Sequence, residues 1–150
     1  MFIVDAHLDL AYNKLRGRDI TRPAAEQPFV QNETATVGLP DLRTGNVGLI
    51  CATIFAMPKT EREAGYVTAD EAQLAGWEQL QYYLKLLAAG EIDFVTEPSE
   101  VPDRAGISAA IPAILLMEGA DPLRSPEDLG MWYDAGLRII GLAWRRTRYA

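Results

Sequence analysis

The only histidine of the chain, His7, lies two residues before Asp9 in the opening stretch Met1-Phe2-Ile3-Val4-Asp5-Ala6-His7-Leu8-Asp9. In an extended segment side chains alternate faces, so residues two apart point the same way, about 7 Å apart along the chain. An imidazole nitrogen and a carboxylate oxygen so placed can converge on one cation, at about 2.0–2.2 Å each for zinc. The apolar run Phe2-Ile3-Val4 ahead of them reads as a buried strand. Barrel enzymes present reactive side chains at the carboxyl ends of such strands. A short His-x-Asp also occurs in surface turns with a hydrogen-bonded histidine, so the pattern gains meaning only from its company.

Glu118 is that company. It follows Ile114-Leu115-Leu116-Met117 directly and precedes Gly119. A carboxylate there belongs at the carboxyl end of a second strand. If both strands lie in one parallel sheet, His7, Asp9 and Glu118 share a rim. One imidazole and two carboxylates suit zinc, and a bridging carboxylate can hold a second ion about 3.5–4 Å away. Otherwise Glu118 caps the next segment or faces solvent. Arg145, Arg146 and Arg148 follow the last apolar run. They form either a solvated basic turn or a set of paired donors for a substrate carboxylate. The motifs of other chemistries are missing: there is no Gly-x-Ser-x-Gly, Walker loop, dinucleotide fingerprint or Cys-x-x-Cys.

Strands and helices alternate around these residues. After the first strand, Leu8 to Leu15 reads as a short helix closed by Gly17, and Arg18 to Ala35 as a long polar excursion. Leu39 to Thr44 reads as one or two helical turns. Asn46 to Met57 is a near-continuous apolar run, as in a strand buried on both faces. Thr68-Ala69-Asp70-Glu71 is a capping box that opens the clearest helix, with Leu74, Trp77, Leu80, Gln81, Leu84 and Leu87 on its apolar stripe and Gly90 as its stop. Ile92 to Thr96 is a short strand, residues 97–104 a loop or one helical turn, and Ile111 to Met117 an apolar strand. Ser125-Pro126 starts another helix with Ser125 as cap, and Leu137 to Ala143 is the last strand. About five apolar strands alternating with amphipathic helices predict a parallel α/β architecture in one domain over residues 1–150.

Composition narrows the function further. Hydrophobic residues make up 49% of the 150 and charged residues 23%, as in an ordinary globular domain. The net charge of −7 argues against nucleic-acid binding and against docking on an anionic membrane. The single cysteine, Cys51, excludes an internal disulfide and sits in an apolar run, as a buried, inert thiol does. The amino end lacks a basic segment before its short apolar run, and no apolar stretch approaches the roughly 20 residues that span a bilayer. The expected location is the cytoplasm.

Taken in order, these features resemble the membrane dipeptidase (renal dipeptidase) family of zinc peptidases. Val4-Asp5-Ala6-His7-Leu8-Asp9-Leu10 is like the D-x-H-x-D-L opening of that family, and Leu42-Arg43-Thr44-Gly45-Asn46-Val47-Gly48 is like its L-R-x-G-x-V-G segment. Leu115-Leu116-Met117-Glu118-Gly119 resembles its strand-Glu-Gly motif, and Leu129 to Leu142 its following helix and strand. The resemblance implies the amino-terminal part of a (β/α)8 TIM-type barrel with about five of its eight strands present. It also implies a binuclear zinc centre whose hydroxide attacks a dipeptide carbonyl. His7 and Asp9 would bind the first ion, and Glu118 would bridge both and serve as a catalytic residue.

The chain departs from the family pattern in two places. The family takes two histidines and an aspartate from its second half, whereas His7 is the only histidine here. Many members have a substrate-contacting histidine where this sequence has Trp144, which donates one N–H and accepts none. Trp144 is thus the expected substrate-binding residue. A non-catalytic α/β interaction module, or a related amidohydrolase acting on another amide or ester, are the alternative readings. A partial barrel also leaves its last strand as an apolar edge, which the remainder of the barrel or a second chain would cover.

Overall fold

The computed structural model describes residues 2–30, 32–61, 63–103, 109–144 and 146–149. Five strands form one sheet: β1 (Ile3–Leu8), β2 (Val47–Phe55), β3 (Ile92–Phe94), β4 (Ile111–Glu118) and β5 (Leu137–Gly141). Every pairing is parallel. Four strands lie side by side in chain order, β1-β2-β4-β5. The short β3 pairs with the first residues of β4, Ile111 to Ala113, and β5 with its last, Leu115 to Glu118. Both lie on the edge of β4 that β2 leaves free, one ahead of the other.

Helices α1 (Leu10–Leu15), α2 (Leu39–Thr44), α3 (Ala69–Ala88) and α4 (Leu129–Asp134) connect the strands. Parallel strands need crossovers of this kind, because a tight turn can join only antiparallel neighbours. α3 starts as its sequence demands: the Glu71 N–H donates to Thr68 Oγ1, and Glu71 Oε2 accepts from the N–H groups of Val67 and Thr68. Its buried face is rotated from the expected stripe. Ala72, Gly76, Gln79, Leu80, Tyr83 and Leu86 face the sheet, while Leu74 is exposed. Gln79 earns its buried position by pairing with the backbone of β2, donating to the Phe55 carbonyl and accepting from the Phe55 N–H.

α4 departs from expectation at its start. Ser125 makes no side-chain cap, Pro126–Asp128 is a 3-10 turn, and the α-helix begins at Leu129. The first-turn acid Asp128 is held from outside the helix by Arg124 and Gln73.

β2 is buried on nearly every residue, as its uninterrupted apolar run requires. β4 alternates instead. Ile111, Ala113, Leu115 and Met117 pack in the core with Leu80, Tyr83 and Trp132, and the opposite face, which carries Glu118, is half-buried. Among the described residues the outer edges of β1 and β5 have no strand partner, and Val4, Ile139 and Leu142 there are exposed. The apolar edge expected at the last strand is present, and the first strand has one as well. No helix among the described residues is long and apolar enough to cross a membrane.

Candidate metal centre

His7 and Glu118 sit on strands separated by β2, about 9.5 Å apart at two interstrand spacings. Two features close that gap. β1 extends well past its apolar run, through Asp5, Ala6 and His7 to Leu8. Within it the register slips: Asp5 pairs with Ile50, but Leu8 pairs with Ala52, so three steps on β1 match two on β2. This irregularity, of the kind that re-aims side chains near functional sites, offsets an opposite shift between Ile3 and Val4. Within it Asp5 accepts the His7 backbone N–H at 3.1 Å.

The three side chains then meet. His7 Nε2 lies 2.8 Å from Glu118 Oε2 and donates to it, and His7 Nδ1 lies 3.9 Å from Asp9 Oδ2. One ligand atom from each residue lies within 4.8 Å of the other two. Donors about 2.0–2.2 Å from a tetrahedral ion sit roughly 3.4 Å apart, so small side-chain adjustments suffice. Asp9 Oδ1 is buried and among the described residues has no hydrogen-bond partner, as suits a metal-ligating carboxylate oxygen. One nitrogen and carboxylate oxygens make a donor set that fits a divalent metal ion.

Electrostatics agrees with geometry. Partial burial lowers the affinity of His7 for a proton, but the Glu118 hydrogen bond and the nearby Asp9, Glu118 and Asp5 outweigh it, so its pKa lies above 6.5. Burial raises the Asp9 pKa; His7 opposes that rise and Glu118 adds to it. The site gathers more negative charge than one imidazole can balance.

Tyr83, which carries no sequence signal beyond its place on α3, positions this end of the sheet. It is fully buried, and its hydroxyl donates to the Thr53 carbonyl at 2.8 Å and accepts the Ala11 N–H at 3.3 Å. One oxygen thereby ties α3 to β2 and to the helix that follows Asp9. Asp121 does similar work beyond Glu118. It is buried, and Oδ1 accepts from the Tyr66 hydroxyl and the Arg148 N–H at 2.5 and 2.7 Å.

The expected arginine cluster divides. Arg145 lies outside the described residues. Arg148 donates to the carbonyls of Asp121, Leu123 and Arg124, so its guanidinium serves the fold rather than a ligand. Arg146 lines an open cleft of about 1100 Å³ together with Trp144 and Lys59. Trp144 is 43% exposed and packs edge-on against Phe55, ring centres 5.2 Å apart. Phe55 is the register partner of Glu118, which puts the indole at the same end of the sheet as the three ligands. Cys51 is buried, and burial raises its thiol pKa, as expected of an inert thiol.

No curated protein sequence matches the chain. Among solved structures, a metallo peptidase of family M19 described as dipeptidase AC superposes with a TM-score of 0.71 at 21% identity, over 96% of this chain and 43% of that one. The probable dipeptidase PvdM from Pseudomonas aeruginosa gives 0.70 at 14% identity, over 96% and 35%. A metallo peptidase from Rhodobacter sphaeroides, liganded with a phosphinate mimic of the dipeptide L-Ala-D-Ala, gives 0.69 at 19%, over 96% and 46%. The chain thus spans less than half the length of each, and its sheet is part of their TIM-type barrel fold. The family model for membrane dipeptidase, peptidase family M19, matches residues 1–150. A parallel sheet with His7, Asp9 and Glu118 gathered at one end, and that match along its whole length, place the chain in the membrane dipeptidase family of metallopeptidases.

Proposed function

We propose that this chain supplies half of a zinc-dependent dipeptidase centre, with two ions in the complete protein. The observation that carries the reading is the meeting of His7, Asp9 and Glu118 from sequence positions 111 residues apart. His7 and Asp9 would hold the first ion, and Glu118 would be shared with the second. With one histidine in these 150 residues, the other ligands of the second ion come from elsewhere. A metal held there would supply a Lewis acid for the peptide carbonyl and would lower the pKa of a bound water toward 7.

The side chains of this chain do the rest. The register shift in β1 and the Tyr83 hydroxyl hold His7 and Asp9 toward the rim. Glu118 fixes the imidazole through its hydrogen bond in the metal-free site and would be a ligand shared by the two ions. Trp144 offers a dipeptide an aromatic face and one N–H donor. The phosphinate dipeptide mimic held by the Rhodobacter sphaeroides metallo peptidase supports a dipeptide as substrate. A reducing, cytoplasmic setting belongs to the same proposal and rests on the single buried thiol.

Zinc titration of the full-length protein tests this reading. The expected result is two zinc ions per chain and hydrolysis of L-Ala-D-Ala, with both metal content and turnover lost in His7→Ala. Retention of both in His7→Ala would overturn it.

A further inference from the structure

Arg18 is a charge with almost no access to water and, among the described residues, one weak ionic partner. The residue is 6% exposed. Among the described residues its one ionic partner is Glu33, at 3.6 Å, and that carboxylate side chain is itself 74% exposed. At that length the pair is not a hydrogen bond, and a pair so open to solvent holds weakly. A guanidinium carries five N–H donors in a planar fork, and arginine is almost never buried unless paired. Among the described residues the Arg18 guanidinium makes no hydrogen bond, so its fork can take an anion.

The backbone sets Arg18 there firmly. Gly17 adopts a φ of +101°, which side chains with a Cβ rarely take, and it turns the chain back on α1. The Arg18 N–H donates to the Asn13 carbonyl at 3.1 Å and the Gly17 N–H to Lys14 at 3.0 Å, the paired closure of a helix end. The Asn13 side-chain amide then donates to the Asp9 carbonyl at 2.9 Å. Two hydrogen bonds thus join Arg18 to the metal-site end of β1. A cavity of about 280 Å³ is lined by His7, Asp9, Asn13, Arg18, Glu33 and Thr36 among others. The volume is near the lower bound of about 300 Å³ for small-molecule sites.

We infer that Arg18 binds a carboxylate of the substrate in this cavity, displacing Glu33, beside the His7–Asp9–Glu118 centre. A carboxylate matches the guanidinium fork with two parallel hydrogen bonds, whereas Glu33 offers one long contact. The carboxylate is either the free terminus of the dipeptide or an acidic side chain. The inference rests on the dipeptidase reading for the substrate class alone.

Calorimetric titration of the metal-stripped, full-length protein reads binding without turnover. One arm compares L-Ala-D-Ala with its C-terminal carboxamide. The other compares the carboxamides of L-Asp-L-Ala and L-Asn-L-Ala. The acid is expected to bind at least about tenfold more tightly than its neutral counterpart in one arm, which names the source of the carboxylate. Arg18→Gln removes that preference and leaves the affinity of the neutral compound unchanged. Glu33→Gln, at an exposed side chain, strengthens acid binding severalfold because the competing carboxylate is gone, and it decides the matter if Arg18→Gln does not fold. Equal binding of acid and amide by the wild-type protein in both arms, or an acid affinity unaltered in Glu33→Gln, overturns the inference. A protein that binds the acid selectively yet hydrolyses no dipeptide when loaded with zinc would sink the dipeptidase reading and leave Arg18 as an anion site.

Discussion

At the scale of single residues, the candidate metal centre is held by side chains that are not among its proposed ligands. Tyr83 is the clearest. Its hydroxyl answers a backbone carbonyl on β2 and a backbone N–H at the start of α1, and burial raises its pKa far above 10, so it stays protonated and donating. Tyr83→Phe leaves both backbone groups without that partner. The expected cost is about 1–3 kcal/mol, the usual penalty for stranding a buried polar group. Urea unfolding measures that loss, and zinc titration of the same variant shows weaker binding if the hydroxyl also positions Asp9.

At the scale of elements, α3 is both cap-started and packed at close quarters. The carboxylate of Glu71 accepts backbone N–H groups from Val67 and Thr68, which lowers its pKa below the usual 4.5. A group depressed in the folded state adds stability above its unfolded pKa and loses it as pH falls through the folded value. The advantage of wild type over Glu71→Gln is therefore constant above about pH 5 and disappears on further acidification, in unfolding curves from about pH 3 to 7. Gly76 sits where α3 meets the segment after β4. A Cβ there would lie 2.7 Å from Pro122 Cβ and 3.1 Å from the Trp132 ring. Ala is the better helix former by about 1 kcal/mol, but overpacking costs about 1–3 kcal/mol. The clash involves a proline and a buried, stacked tryptophan, neither free to move away. Gly76→Ala is expected to lower the melting temperature.

Taken together, the described strands form one parallel sheet in which the outer edges of β1 and β5 have no strand partner among the described residues. Such edges pair with whatever strand reaches them. The isolated 150-residue chain is expected to self-associate with rising concentration, and Ile139→Lys on β5 to reduce that association in sedimentation velocity runs. Without the ligands of a second ion, the same chain is expected to show no dipeptide hydrolysis above background, which a zinc-supplemented turnover assay checks. Chelator-sensitive turnover by the isolated chain would contradict the shared role proposed for Glu118.

Much of this was legible in the residues alone. The Thr68–Glu71 box, the uninterrupted apolar run of β2, and His7, Asp9 and Glu118 beside strand ends all depend on interactions between near neighbours or on a two-residue period, which local sequence encodes. The long-range details were not. The register shift between Asp5 and Leu8, which brackets His7, is a relation between β1 and β2 that neither strand carries by itself. Ser125 has every mark of a helix cap and does not act as one; a 3-10 turn, Pro126–Asp128, follows it and the α-helix begins only at Leu129. Arg148, read as part of a solvated basic turn or a set of carboxylate donors, is instead held by three carbonyls from the segment after β4, while Arg18, silent in a polar stretch, is buried beside the candidate metal ligands. Which arginine is free to meet an anion depends on which carbonyls and carboxylates the fold brings within about 3 Å of it, and those partners lie far away in the chain.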